Sequence, residues 1–307
     1  VTQQKILVGS RASKLALVQT HEVIQRLQAI DPTLDFEVVP IKTKGDLKPN
    51  TALVQLGSNG LFVREVETEL LNQQIDFAVH SAKDLPAKLA PGLTIAATPS
   101  RALAQDVLVV KDSQLKHWQD LPQGAVIGTG SPRRQTLLHH LRPDFKLKNI
   151  RGNVPTRLKK LAMQDFDGIV LAAAGLQRLG LLDQRQLHHF DLPTAQFIPA
   201  ACQGTLALEC ATQNQAIVKL LQGINDVKNY QAMRCERAFL KTLEGDCTIP
   251  LGCLAEVSDD GQIQARAFLA DKFIPARFTY VSGQSADPEK LGTTLAQNAM
   301  TQLQKKD

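Results

Sequence analysis

Two strand-to-turn-to-helix junctions follow one another directly between residues 125 and 160, and this alternation predicts an α/β fold. Ala125-Val-Ile-Gly128 is a short apolar run of the kind that forms a buried strand. It leads into Thr129-Gly-Ser-Pro-Arg-Arg134, where Ser131 is placed to cap a helix that Pro132 opens. Phe145-Lys-Leu-Lys-Asn-Ile150 then alternates as a strand does and feeds Arg151-Gly-Asn-Val-Pro-Thr-Arg157, a second glycine-bearing turn ahead of a helix. Helix starts of this kind present unpaired N–H groups and the positive end of a dipole. Residues 131–160 hold nine Lys or Arg and one Asp, so this face calls for a ligand with several negative charges.

The same alternation runs through the first hundred residues. Lys5-Ile-Leu-Val8 predicts a strand that turns through Arg11 and Ser13 into an amphipathic helix, followed by a strand at 36–41. Residues 42–60 form a long Gly-, Asn- and Lys-bearing loop of the length expected of a lid. A helix is expected at 61–71 and a strand at 75–79, with His80-Ser-Ala-Lys-Asp84 at its carboxyl end. Ligands of open α/β sheets gather at such ends, which is where Arg11, Ser13, Lys83 and Asp84 fall. Strands at 93–97 and 107–110 flank a crossing at 100–105, and Ala200-Ala-Cys-Gln-Gly204 introduces a strand at 205–210 that returns to the first unit. Past residue 221 the pattern becomes a helix, a hairpin about Asp259-Asp-Gly261, one more strand and a closing helix. The expected organisation is therefore two α/β domains, residues 1–100 with 200–220 and residues 101–199, and a smaller α+β domain at 221–307.

With 307 residues, 43% of them hydrophobic, the chain can bury cores of that number. A net charge of +5 and only one Trp and two Tyr argue for small acidic ligands and against nucleic acid. Five cysteines without a Cys-x-x-Cys pair suggest neither a disulfide framework nor a zinc site, and a reducing cytoplasm is expected. No apolar run approaches a membrane span, and residues 1–10 lack the apolar stretch of a secretory signal. No metal is expected: His80 reads as a structural strand-end residue, and the pairs His139-His140 and His188-His189 read as exposed helix residues. Cys202, Cys210, Cys235 and Cys253 read as small buried hydrophobes. Cys247, in the turn Leu243-Glu-Gly-Asp-Cys247, is a candidate attachment point.

Taken together, Arg11-Ala-Ser-Lys-Leu-Ala-Leu17, Lys44-Gly-Asp46, Gly60-Leu-Phe-Val63, His80-Ser-Ala-Lys-Asp84, Gly128-Thr-Gly-Ser-Pro-Arg-Arg134, Arg151-Gly-Asn-Val154 with Thr156-Arg157, Ala174-Gly-Leu-Gln-Arg-Leu-Gly180, Gln203-Gly204 and Leu243-Glu-Gly-Asp-Cys247 closely resemble the porphobilinogen deaminase (hydroxymethylbilane synthase) family. The motifs stand in the family's order over nearly the whole chain. The resemblance implies two periplasmic-binding-protein-like α/β domains and a smaller C-terminal α+β domain. It implies a transferase of tetrapyrrole synthesis that condenses four porphobilinogens head to tail, releases ammonia and frees hydroxymethylbilane with water. It also implies a dipyrromethane cofactor covalently bound at Cys247.

By the same resemblance Asp84 is the catalytic carboxylate. Ser81, Lys83, Asp84, Thr129, Ser131, Arg133, Arg134, Arg151 and Gly152 would hold the cofactor. Arg11, Ser13, Arg151, Arg157, Arg178 and Gln203 would hold the substrate. Each pyrrole carries two carboxylates, which matches the abundance of arginine forks. The expected partner is porphobilinogen alone, for a cytoplasmic monomer that binds neither nucleic acid nor membrane. The rival is a non-catalytic, anion-binding receptor of two lobes, which would need neither Asp84 nor Cys247.

Overall fold

A computed structural model describes residues 5–41, 63–184, 187–244, 249–274 and 276–305. The lid expected at 42–60 and the anchor Cys247 lie outside them. In the first lobe, β1 (Ile6–Arg11), α1 (Lys14–Ile30), β2 (Phe36–Ile41), α2 (Arg64–Leu71), β3 (Phe77–Ser81) and β4 (Leu93–Ala97) follow in order. A single 3₁₀ turn, Ala82–Asp84, leaves β3. The second lobe contains β5 (Asp106–Val110), β6 (Val126–Gly128), α3 (Pro132–Leu141), β7 (Lys146–Lys148), α4 (Val154–Met163), β8 (Gly168–Ala172), α5 (Ala173–Arg178) and β9 (His189–Asp191). The chain then returns to the first lobe as β10 (Leu206–Ala211).

The two five-stranded sheets have one topology, β2-β1-β3-β10-β4 and β7-β6-β8-β5-β9. In each, three parallel strands are joined by a fourth that runs antiparallel: β10 beside β3, and β5 beside β8. Each antiparallel strand is the first one after a crossing between the lobes. This exchange of strands, with a cleft at the carboxyl ends of the parallel ones, is the architecture of periplasmic-binding-protein domains. After β10 the helix α6 (Gln215–Gln222) still belongs to the first lobe, where Ile217 and Leu221 pack with Val8, Phe77 and Leu208. The third unit comprises α7 (Val227–Thr242), β11 (Leu251–Val257), β12 (Ile263–Ala270), β13 (Phe278–Ser285) and α8 (Pro288–Gln304). Its antiparallel sheet β11-β12-β13 is covered by α7 and α8. The helices meet at Gly292, where an added Cβ would come within 2.2 Å of the Cys235 carbonyl oxygen.

Local chemistry accounts for the junctions. Ser13, Ser131 and Asn153 cap α1, α3 and α4 by accepting from the backbone N–H of Ala16, Arg134 and Thr156, and prolines stand in the first turns of α3 and α4. The third unit is fastened to the second lobe by a shared core, in which Leu254, Phe268 and Ala270 pack with Ile127, Leu137 and Phe197. It is tied to the crossings by Arg101, whose guanidinium reaches Glu236 of α7 at 2.6 Å and the Gln203 carbonyl oxygen at 2.9 Å. Glu236, fully buried, also accepts from the backbone N–H groups of Ala255 and Cys202.

Several expectations shift. The third strand runs to Ser81, so His80 lies inside it, buried and 3.0 Å from the Glu209 carboxylate of β10. The pair His188-His189 is not on a helix: His189 opens β9, and His188 is half-buried with Nε2 2.8 Å from the Leu115 carbonyl oxygen. A three-residue strand is too short for periodicity to reveal. His139 and His140 are exposed at the end of α3. Cys202, Cys210, Cys235 and Cys253 are free and buried.

Candidate active site

The cleft is built from the carboxyl ends of β1 and β3 on one side and of β6, β7 and β8 on the other. Arg11 is the last residue of β1, and Ser13 caps the helix that follows. Ser81 ends β3 and exchanges hydrogen bonds with Gln19 of α1 at 2.9 and 3.2 Å. The turn after it lifts Asp84 into the cleft, where it is exposed while its neighbour Lys83 is half-buried. Arg11, Ser13, Gln19, Val63, Ser81 and Asp84 line a cavity of about 60 Å³.

On the facing lobe, Thr129 is buried after β6, and its hydroxyl accepts from the Ser131 N–H. Arg151 follows β7, and Gly152 adopts φ +115°. A Cβ there would lie 2.7 Å from Thr156 Cγ2, so only glycine permits this turn. Arg157 stands one turn into α4, its Nε donating to the Gly152 carbonyl oxygen at 2.7 Å. Arg178, at the end of α5, donates to Glu22 at 3.0 Å and to the Gly204 carbonyl oxygen at 3.0 Å.

Arg133 and Arg134 differ from the other arginines. Both are buried, and both turn to Asp106, the first residue of β5. Arg133 Nη2 reaches Asp106 Oδ2 at 2.7 Å and Arg134 Nη2 reaches Oδ1 at 2.6 Å. The remaining donors include Arg133 Nη1 to the Ile198 carbonyl oxygen and Arg134 Nη1 to that of Val170. The sequence expectation gave these arginines to ligand carboxylates; the fold supplies a protein carboxylate first, because buried guanidinium groups require a partner. Burial alone would raise the Asp106 carboxyl, yet Arg133 and Arg134 hold it well below the usual carboxylate range. Gln203 joins the same oxygen at 3.0 Å, and its own Oε1 accepts from Lys83 Nζ at 3.2 Å. Asp106 was not singled out from sequence. The available signal was an acid at the head of the apolar run Asp106-Val-Leu-Val-Val110, which a buried strand tolerates only beside a cation.

The charge of the cleft is unbalanced. Burial pushes the Arg157 guanidinium down to about 10, with Arg134 and Arg151 adding to the fall and Asp84 opposing it. Burial likewise pushes the Lys83 ammonium down to about 8 against the pull of Asp84 and Asp106. Among the described residues Arg151 has no carboxylate partner. A set of cations that depress one another is stabilised by bringing anions between them.

A two-lobed α/β fold whose cleft gathers, among the described residues, guanidinium groups, an ammonium and one exposed carboxylate suits small polyanions. Residues 6–219 match the family described as "Porphobilinogen deaminase, dipyromethane cofactor binding domain", and residues 230–301 match "Porphobilinogen deaminase, C-terminal domain". The chain belongs to the porphobilinogen deaminase family. It is 42% identical over 298 residues to the porphobilinogen deaminase of Streptococcus sanguinis, covering 97% of this chain and 95% of that one. It is also 42% identical over 301 residues to that of Exiguobacterium sibiricum, covering 95% and 94%. These relatives make it a transferase of tetrapyrrole synthesis with a dipyrromethane-binding domain, and they lend nothing to the receptor alternative. The donor set of the cleft, among the described residues rich in guanidinium forks and short of carboxylates, suits a group that carries an acetate and a propionate on each ring. No helix among the described residues is long and apolar enough to cross a membrane.

Proposed function

We propose that this chain joins four porphobilinogens on a dipyrromethane held covalently by Cys247 and releases hydroxymethylbilane, with Asp84 as its catalytic carboxylate. The observation that carries the assignment is the exposed Asp84 side chain in a cleft otherwise dominated by cations. When bound, the dipyrromethane would supply the free pyrrole carbon to which the first ring is joined, each later ring being joined to the one before it.

The protein's own residues then have separable tasks. Asp84 accepts hydrogen bonds from the pyrrole N–H of porphobilinogen. Its negative charge balances the positive charge that develops on the substrate as the aminomethyl C–N bond breaks and ammonia leaves with the bonding electron pair. Arg11, Ser13, Arg151, Arg157 and Arg178 hold substrate carboxylates, and Lys83, Thr129, Ser131, Gly152 and Ser81 hold those of the cofactor. Arg133 and Arg134 serve the cofactor with the N–H groups that Asp106, Ile198 and Val170 leave over. Gln203, bonded to both Lys83 and Asp106, positions the two walls of the cleft.

Three domains fit this division, with residues 1–100 and 200–220 carrying Asp84, residues 101–199 the arginine face and residues 221–307 the anchor. We take the protein to act as a cytoplasmic monomer without nucleic acid. The test is the intact mass of the purified chain beside a Cys247→Ser variant, both made in cells that synthesise tetrapyrroles. A mass excess of one linked dipyrrole, present only with Cys247, is expected. An unmodified wild-type chain that stays unmodified after incubation with porphobilinogen would sink the assignment.

A further inference from the structure

Arg178 is held in a way that its assigned task does not explain. Its side chain, only 6% exposed, is bound by Glu22 of α1, a side chain from the opposite lobe. The other Glu22 oxygen accepts from Arg26 at 2.8 Å, and Arg26 Nη1 donates to Ser100 Oγ at 2.9 Å. Arg178 Nη2 meanwhile donates to the carbonyl oxygen of Gly204. Ser100 lies on the first crossing between the lobes and Gly204 on the second. One relay, Ser100–Arg26–Glu22–Arg178–Gly204, therefore fastens both crossings to α5.

The crossings themselves touch. Gly204 sits at φ +90°, and a Cβ on it would come within 2.5 Å of the Ala102 carbonyl oxygen. Beside the relay a cavity of about 390 Å³ opens, lined by Val18, His21, Glu22, Gln25 and Arg178. It adjoins a face of α1 next to the one that Ala16 and Gln19 present to the Asp84 cavity. A ligand carboxylate entering there meets a guanidinium whose Nε is already bound by Glu22 and whose Nη2 is already bound by Gly204, so it competes with Glu22 for the same charge.

We propose that Glu22 is a positioning residue, an internal stand-in for a carboxylate of the lengthening chain, which keeps Arg178 and the two crossings fastened until a later ring takes its place. The inference rests on the functional reading above. Growth of the chain is thereby coupled to the freedom of the lobes: the early rings are added with the crossings fastened, and a ring that reaches Arg178 releases them. The coupling needs only a difference in how the ligand contacts the fastened and released states.

The test compares the full-length, cofactor-bearing wild type with Glu22→Gln, which keeps the side-chain size and removes the competing charge. Amide hydrogen exchange is followed at 98–104 and 200–205 before and after porphobilinogen is added, alongside the intact-mass ladder of added rings. In the wild type, exchange at both crossings is expected to rise by roughly threefold or more on addition. In Glu22→Gln it is expected to be high from the start and unresponsive. With no carboxylate to reclaim Arg178, the longest loaded forms should persist several-fold longer in the variant, lowering kcat with KM unchanged. A wild type that builds no ladder overturns the functional reading and this inference with it. A normal ladder with the same exchange in both proteins overturns this inference alone, as does a parallel change in kcat and KM with an unaltered ladder, the signature of a merely structural role.

Discussion

The side-chain amide of Gln203 donates to Asp106 Oδ1 at 3.0 Å, from the returning crossing to the first strand of the other lobe. Its opposite end accepts from Lys83, so one uncharged residue spans the distance between the buried Asp106–Arg133–Arg134 group and the cation beside Asp84. The cleft is thus assembled around a carboxylate that never faces it.

Removing that carboxylate strands two buried guanidinium groups. Asp106→Asn is expected to cost roughly 3–5 kcal/mol of stability, the range for breaking a buried ion pair from one side. Urea unfolding followed by circular dichroism checks this, and a change below about 1 kcal/mol would mean that Arg133 and Arg134 find other partners.

Lys83 gives the site a pH dependence of definite sign. Burial lowers its folded pKa to about 8 from 10.5, so the unfolded chain binds more protons between those values and this group makes stability rise with pH across that window. Function runs the other way, because the ammonium that holds a carboxylate is lost as pH passes 8. A fall in kcat/KM above about pH 8 is expected in the wild type, displaced to higher pH in Lys83→Arg, whose guanidinium stays charged. An unmoved profile in the variant would assign the titration to another group.

Asp84 is exposed and makes no ion pair among the described residues, so its replacement should separate catalysis from folding. Asp84→Asn is expected to leave stability within about 0.5 kcal/mol while reducing turnover by about 10²-fold or more. Stopped-assay ammonia release and thermal melting on the same preparation read both quantities, and undiminished turnover would remove Asp84 from the mechanism.

Much of this was legible from residues alone because the signals were local. Ser13, Ser131 and Pro132 mark helix starts wherever they occur, and the placement of Arg11, Lys83 and Asp84 at strand ends follows once the strands are found. What stayed hidden depends on partners far along the chain. Asp106 acquires its meaning from arginines 27 and 28 residues later, and Glu22 from Arg178, 156 residues away. The inward turn of Arg133 and Arg134 was invisible for the same reason: a run of basic residues reads identically whether it faces a ligand or a buried acid. The direction of β10 was equally hidden, since periodicity reports which residues a strand buries but not which neighbours it lies between.

That direction bears on how the chain is made. β10 lies between β3 and β4, yet residues 206–211 are synthesised only after every strand of the second sheet. On the ribosome, the later-made lobe has all five of its strands in the single stretch from Asp106 to Asp191 and can close first. The earlier-made one waits with the facing edges of β3 and β4 unpaired for on the order of ten seconds at ordinary elongation rates. Those edges are sticky while they wait. The nascent chain is therefore most exposed to aggregation through the segment that carries β1 to β4, rather than through the arginine-rich half.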